Sequence, residues 1–285
     1  MKSAQKMVSI GMPVYNGARY IRDAINSLLI QSYEFFELII SDNASTDETE
    51  QICRELAAID KRIKYYRQPL NQGAHSNFQF VLDHAVGSYF MWAAHDDTWC
   101  KNFISAGVHA LSQYPTIIAA AGIIEYRSNN RLVLIDAPPY LLDGAFEDRV
   151  SNYLNTNLTD YLFYGIYRTE FLAACRLQSY VYCPEKIVII RAILSGGYID
   201  APDMKMSINY NLRTRDDLKD LGINPARWQE LFLAFLMAVT IFRFAPPRHI
   251  MSLIWLLLKN RTPGFRRILR GGLKQHNGRL SLFVD

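Results

Sequence analysis

The run Tyr89-Phe90-Met91-Trp92-Ala93-Ala94-His95-Asp96-Asp97 passes from a continuous apolar segment into two adjacent carboxylates. An apolar run of this length bounded by polar residues reads as a buried strand. In an open parallel sheet, ligands bind outside the carboxyl ends of the strands, so Asp96 and Asp97 stand where chemistry is done. Two hard oxygen donors suit Mg²⁺ or Mn²⁺, which bind through one or two carboxylates plus substrate phosphates. The doublet also fits a plainer role: a polar turn follows the strand, and Asp97 caps a helix beginning near Trp99. Alone it does not choose between the two.

Two further apolar runs end in polar clusters. Residues 8–12 lead into Pro13-Val14-Tyr15-Asn16-Gly17, and residues 37–41 into Asp42-Asn43-Ala44-Ser45. Parallel strands share one carboxyl edge, so three segments distant in sequence converge on one cleft. The chemistry fits a nucleotide. Tyr15 can stack on a base, and Asp42 can accept a hydrogen bond from a ring N–H such as N3–H of uracil or thymine. Guanine also offers ring N–H donors, whereas cytosine has no proton at N3. Ser45 with Glu48 has the spacing of a capping box, with Thr46 or Asp47 as other helix starts. Ser45, Thr46 and Glu48 are therefore assigned to the helix and Asp42 to the ligand. The first turn lacks GxGxxG and no GxxxxGK[ST] occurs, which excludes dinucleotide and P-loop sites. His75, His84 and His109 show no ligand spacing to His95-Asp96 and read as ordinary surface or core histidines.

Such loops need a scaffold to hold them. Strand patterns at residues 8–12, 37–41, 63–67, 89–94 and 117–125 alternate with helical patterns at 17–31, 46–58, 76–86 and 99–113. This alternation predicts an α/β fold with a doubly wound, mostly parallel sheet and right-handed crossovers. After Arg131 the pattern loosens, with a loop at Asp136-Ala137-Pro138-Pro139. A chain of 285 residues, half of them hydrophobic, has ample material for one large core. The formal charge of +4 comes from the end of the chain, where nine basic residues and one acid follow Leu231. The first 230 residues hold 22 basic against 26 acidic, which argues against a nucleic-acid partner. Cys53, Cys100, Cys175 and Cys183 have no zinc-like spacing and read as reduced, buried thiols. Residues 1–6 are polar and lead directly into a strand, and the apolar run 231–242 is too short to span a bilayer. A cytoplasmic protein is expected.

Taken in order, Val8-Ser9-Ile10-Gly11-Met12-Pro13-Val14-Tyr15-Asn16-Gly17, Glu37-Leu38-Ile39-Ile40-Ser41-Asp42-Asn43-Ala44-Ser45-Thr46-Asp47, Asn71-Gln72-Gly73 and Asp96-Asp97 resemble family 2 glycosyltransferases over roughly the first 115 residues. The resemblance implies a GT-A fold, a nucleoside-diphosphate-sugar donor, a divalent metal (Mn or Mg), and transfer with inversion. It implies that Pro13, Tyr15 and Asp42 hold the base, that Asp96 meets the ribose, and that Asp97 coordinates the metal. Many members carry Asp where this chain has His95, which leaves no first-position carboxylate here.

Inverting transfer needs a base for the acceptor hydroxyl, and a carboxylate from the second half of the chain is sufficient. Candidates are Asp160, Glu170, Glu185, Asp200 and Asp203. Gly165-Ile166-Tyr167-Arg168 followed by Pro184-Glu185-Lys186 resembles the acceptor-side region of bacterial members, so Glu185 is chosen. The alternative is that Pro184 starts a helix and Glu185 complements its dipole. Arg213 and Arg215 can clamp a diphosphate but fit a surface role better. The expected organisation is a GT-A catalytic domain at 1–215 (donor half 1–115, acceptor half 116–215) and a basic helical region at 216–285. In that region Trp228, Leu231, Phe235 and Val239, then Ile250, Leu253 and Leu257, recur at helical spacing before a run of Lys and Arg. Such a segment suits peripheral contact with an anionic membrane, or packing on the catalytic domain or a second subunit of a homo-oligomer.

The expected function is sugar transfer from a UDP or dTDP donor, with GDP as a further option, to a glycan or lipid-linked acceptor. Bacterial surface polysaccharide is the expected product, made at the inner face of the cytoplasmic membrane. A sugar-nucleotide pyrophosphorylase would need a glycine-rich loop bearing Arg or Lys, and residues 11–17 contain neither. A non-catalytic sugar-nucleotide or glycan-binding protein is the other alternative.

Overall fold

The computed structural model describes residues 6–128, 131–138, 140, 142–155, 160–175, 184–209, 243, 245, 247–251, 275–276 and 279–280. The first half is a run of β–α units. Strands β1 (Val8–Val14), β2 (Phe36–Asp42), β3 (Ile63–Arg67) and β4 (Tyr89–Trp92) alternate with helices α1 (Ile21–Leu29), α2 (Thr49–Ile59) and α3 (Ala74–Asp83). The four strands are parallel in the order β3-β2-β1-β4. β1 and β2 are buried along their whole length, as expected for strands covered by helices on both faces. α1 buries Ile21, Ala24, Ile25 and Leu28, a spacing that lines one helical face. Each fully buried Ile or Leu contributes about 1.5–3 kcal/mol.

The second half adds β5 (Thr98–Trp99), α4 (Phe103–Gln113), β6 (Ala119–Ser128), β7 (Arg131–Asp136), α5 (Phe146–Asn155), a 3₁₀ turn (Asp160–Tyr164), β8 (Ile166–Arg168), α6 (Thr169–Ala173), α7 (Pro184–Ser195) and β9 (Tyr198–Asn209). The sheet continues as β4-β8-β6-β9-β5. β8 is antiparallel to both neighbours, and β6 and β9 run parallel to each other. Short β8 flanks only the start of β6, at Ala119 and Ala120, whereas β7 pairs with its far end from Ile124 to Ser128. Gly122 sits where the β6–β9 register shifts, because any Cβ there would strike the Met204 carbonyl.

One core lies between the sheet and α1, α2 and α4, around Ile10, Leu28, Leu38, Leu56 and Phe103. The other lies under α3, α5 and α7, around Phe90, Trp92, Phe163 and Ile189. Gly11 is in mid-strand because a Cβ would come within 2.6 Å of Val81 Cγ2 on α3 and 2.7 Å of Phe90 Cζ.

The doubly wound reading therefore holds, with local corrections. The strand expected at 117–125 is β6, separated from β4 by the three residues of β8. The helix expected from Trp99 starts at Phe103, because Thr98 and Trp99 pair with Ser207 and Met206. α1 starts at Ile21 rather than at Gly17, whose carbonyl accepts the Tyr20 N–H in a turn. The boundary expected at 215 and most of the helical region expected at 216–285 fall outside the described residues; its described parts include a 3₁₀ turn (Pro247–His249) and, in place of helix, an antiparallel pairing of Gln275–His276 with Arg279–Leu280. Near that tail, Ala245 is buried against the second core, and His249 stacks on Phe146 at 4.1 Å with Nδ1 2.6 Å from Glu147 Oε1. Among the described residues no helix is long and apolar enough to cross a membrane.

Candidate active site

The loops after β1 and β2 are stapled together. Asn16 and Ala44 both hold left-handed backbone conformations, with φ of 52° and 62°. Non-glycine residues occupy that region at a cost, and they persist when the surroundings over-determine them. Here Asn16 N–H donates to Ser45 Oγ at 2.9 Å, and Asn16 Oδ1 accepts the Thr46 N–H at 2.8 Å. Gly17 N–H donates to Thr49 Oγ1 at 2.8 Å and Asn43 N–H to Val14 O at 2.8 Å. The expected Ser45–Glu48 capping box is absent, since Ser45 serves the first loop and α2 begins at Thr49. Asp47 takes over that role, with Oδ1 accepting the Thr49 N–H at 3.1 Å and Oδ2 the Ala18 N–H at 3.0 Å. Pro13 is buried in β1, while Tyr15 is 45% exposed at the loop tip, so its ring is available to a stacking partner.

Asp42 is fully buried, with three hydrogen bonds in place. Oδ1 accepts the Ser45 N–H at 2.8 Å, and Oδ2 accepts Tyr65 Oη–H and Arg67 Nη1–H, each at 2.7 Å. A carboxylate offers about four acceptor directions, so one on Oδ1 is not taken up by these bonds, although the side chain has no exposed surface. Arg67 also holds Ser45 O at 2.9 Å and pairs with Glu50 at 3.0 Å. The sequence reading missed Tyr65 and Arg67. Their signal is their period-two spacing at the end of β3, which the register sets opposite Ile40 and Asp42. It also missed Asn77, whose buried amide donates to Ser41 O at 2.9 Å and Val14 O at 3.3 Å, tying the ends of β1 and β2 to α3. Asn71-Gln72-Gly73 packs alongside: Asn43 donates to Asn71 Oδ1 at 2.8 Å and accepts the Gln72 N–H at 3.0 Å. Gly73 turns into α3 at φ 82°, a conformation that favours glycine.

The loop after β4 closes on the same edge. A Cβ on Gly17 would lie 2.5 Å from His95 Cδ2, so the histidine ring fills the space that glycine leaves. Asp97 is only 4% exposed and accepts the backbone N–H of Asn209, the last residue of β9. Burial, and next the charge of Asp96, push its carboxyl up to about 8. A buried carboxyl beside a like charge, with no Lys or Arg ion pair among the described residues, is an arrangement that a divalent cation would relieve. Among the described residues no cluster of three or more Asp, Glu, His or Cys is preformed; two carboxylates suffice for Mg²⁺ or Mn²⁺ only where substrate phosphates supply further ligands. Asp97 does not cap a helix, because β5 follows it.

The acceptor-side candidates are more scattered. Glu185 lies in the first turn of α7 and is partly buried. Asp160 opens the 3₁₀ turn, and Glu170 and Asp203 are exposed. Asp200 lies low on the sheet, opposite Ala121, where Oδ2 accepts the Tyr140 N–H at 2.9 Å. Arg168 closes the end of α4, donating to Ile117 O, Leu111 O and Tyr114 O at 2.8–3.1 Å. Arg213 and Arg215 lie outside the described residues. His84 stacks on Phe80, and His109 is exposed. Cys53 and Cys175 are buried, with their thiols raised to about 12 and 11 by desolvation, while Cys100 is partly exposed and Cys183 lies outside the described residues.

The chain is 38% identical over 107 residues to an uncharacterized glycosyltransferase of Rickettsia typhi, covering 38% of this chain and 32% of that protein. It is 36% identical over 102 residues to the putative teichuronic acid biosynthesis glycosyltransferase TuaG of Bacillus subtilis, covering 36% of this chain and 40% of TuaG. The matched stretch is thus well under half the length of these relatives. Among solved structures, S. aureus TarS 1–349 in complex with UDP-GlcNAc superposes with a TM-score of 0.64 at 18% identity, over 92% of this chain and 75% of that one. The mannosyltransferase PcManGT from Pyrobaculum calidifontis, in complex with GDP-Man and Mn²⁺, gives 0.61 at 17% identity, over 94% and 75%. At such identities the likeness shows the fold, which is GT-A. The family model described as Glycosyl transferase family 2 matches residues 9–173, more than half of the chain. With the stapled loops and the Asp96-Asp97 doublet on one sheet edge, the chain belongs to glycosyl transferase family 2.

Proposed function

We propose that the protein transfers a sugar, with inversion, from a nucleoside-diphosphate-sugar to a hydroxyl of a glycan or lipid-linked acceptor. The observation that carries this reading is the buried Asp97 carboxyl beside Asp96, at the edge where the β1 and β2 loops are stapled. Tyr15 stacks on the base and Asp42 receives its ring N–H, which favours UDP or dTDP and admits GDP. Tyr65 and Arg67 fix the Asp42 carboxylate for that contact. Asp96 bonds the ribose. Asp97, with Asp96 beside it, would hold Mn²⁺ or Mg²⁺, and when bound such a cation offsets charge on the departing diphosphate. TarS and PcManGT, solved in complex with UDP-GlcNAc and with GDP-Man and Mn²⁺, support this donor class.

Glu185 serves as the base. The acceptor oxygen bonds to the anomeric carbon, whose bond to the phosphate oxygen breaks with the electron pair leaving on the diphosphate. The acceptor proton passes to the Glu185 carboxylate. The basic residues after Leu231 suit a lipid-linked acceptor of bacterial surface polysaccharide at the inner face of the cytoplasmic membrane.

A thermal-shift panel of UDP-GlcNAc, UDP-glucose, dTDP-glucose and GDP-mannose, with Mn²⁺ or EDTA, tests the reading. A donor at about 100 times its dissociation constant adds roughly 2.7 kcal/mol and a visible rise in melting temperature. Full turnover in EDTA would sink the metal assignment, and no donor-dependent shift with any nucleotide sugar would sink the donor site.

A further inference from the structure

Beyond the donor edge, the far ends of four strands present a sheet face that no helix among the described residues covers. Across β7, β6, β9 and β5, Ile135, Glu125, Ser207 and Thr98 stand directly opposite one another. Directly opposed residues project to the same face. The intervening residues Ile124, Tyr126, Met206, Ile208 and Trp99 are buried with α4 in the first core, so the Glu125 row faces the other way. Arg127, two residues along β6, shares that face. Its Nη2–H donates to Glu125 Oε2 at 2.5 Å and its Nε–H to Ser207 Oγ at 3.2 Å, while Ser207 Oγ–H donates to Glu125 Oε2 at 3.3 Å. Leu132, opposite Arg127, and Ile135 are about half exposed. Asn209, which also pairs with Arg127, gives its N–H to Asp97, so the face abuts the carboxylate doublet.

We propose that this open face is the acceptor subsite, and that Glu125, Arg127 and Ser207 bind the hydroxyls of an acceptor sugar ring. The proposal rests on the glycosyltransferase reading above. Arg127 holds the Glu125 carboxyl below its ordinary range, so Glu125 stays ionised and can only accept hydrogen bonds, which sugar hydroxyls donate. Arg127 Nη1 has no hydrogen bond among the described residues and can donate to a ring oxygen or hydroxyl. Leu132 and Ile135 offer apolar surface to the C–H face of a sugar ring. The three polar groups are already cross-bonded, so little ordering remains to be done on binding. A solvated ion pair with no ligand role is the competing outcome.

The test uses the donor that gives the largest shift in the panel above and octyl β-glycosides of glucose, galactose, N-acetylglucosamine and mannose as acceptors. Transfer and donor hydrolysis are measured together. Glu125→Gln and Ser207→Ala should each raise the acceptor KM, by roughly ten- to a hundredfold for Glu125→Gln, and shift the partition from transfer toward hydrolysis. The donor-induced melting shift should persist in both. Wild-type acceptor KM in both variants overturns the proposal, as does loss of the donor-induced shift together with transfer. A wild-type enzyme that hydrolyses donor but passes sugar to none of these glycosides also overturns it. Wild-type protein that neither binds nor turns over any donor sinks the glycosyltransferase reading, and the acceptor face with it.

Discussion

Asp97→Asn should make the metal-free protein more stable while abolishing transfer. The folded-state carboxyl titrates near 8, against 3.8 for an exposed aspartate. The folded protein therefore binds this proton more tightly than the unfolded chain, and stability falls as pH rises from about 4 to about 8. Each unit of difference is about 1.36 kcal/mol, so at pH 7, where the folded carboxyl still keeps its proton and the unfolded one has lost it, that protonation costs the fold about 4 kcal/mol. At pH 5 the cost shrinks to about 2 kcal/mol, and near pH 3.5 it vanishes. Asparagine cannot ionise, yet its amide oxygen can still accept the Asn209 N–H. For a chain of this size each kcal/mol moves the melting temperature by about 2–4 °C, so a gain of roughly 8–16 °C is expected at pH 7. Melting curves in EDTA at pH 7 and pH 5 read this out, with Mn²⁺ additions on both proteins. The cation should raise the melting temperature of the parent and leave the variant where it was. No gain for the variant at pH 7, or the same gain at pH 5, would refute a carboxyl at Asp97 that burial and Asp96 push up to about 8.

Three other outcomes follow from the same structure. Glu185→Gln should lower turnover roughly 10²–10⁴-fold with donor affinity nearly unchanged; a normal rate with about 0.3–1 kcal/mol lost from stability would instead mark Glu185 as a helix-dipole residue. Tyr65→Phe removes one donor from buried Asp42 and should cost about 1.5–3 kcal/mol in chemical denaturation, whereas an unchanged midpoint would show that Asp42 does not depend on it. Truncation after Met251 keeps the His249–Glu147 contact but removes seven Lys and Arg, so flotation with anionic vesicles at low salt should be lost; equal recovery of both proteins in the unbound fraction would give the tail a structural role.

The donor half was legible because parallel strands covered on both faces leave continuous apolar runs, and each ends in polar residues. The strand and helix types in that half, and the shared edge, follow from the pattern alone. What escaped was set by pairing rather than composition. β5 is two residues long and β8 three, too short to leave a period. β9 is long, but Asp200, Pro202 and Asp203 interrupt it where its register against β6 shifts. Asp42 stood out in the sequence as a candidate, yet its partners Tyr65 and Arg67 lie 23 and 25 residues away and meet it only through the β2–β3 register. The helix start at 45–49 misled for a related reason. Ser45 has the right spacing for a cap but is claimed by the Asn16 N–H from another loop.

The split flank of β6 has a consequence for how such a protein can change. Its first residues are gripped by β8, which is tied to β4, while its last five pair with β7, which among the described residues joins the sheet only through β6. Insertions or substitutions in the β6–β7 hairpin therefore leave the pairings among β1, β2, β3 and β4 untouched. Under the acceptor role proposed for that face, a lineage can remodel the hairpin for a new recipient molecule without disturbing the strands that carry the proposed donor site. If that proposal holds, grafting a foreign hairpin between Ser128 and Arg131 becomes a practical route to changing the recipient.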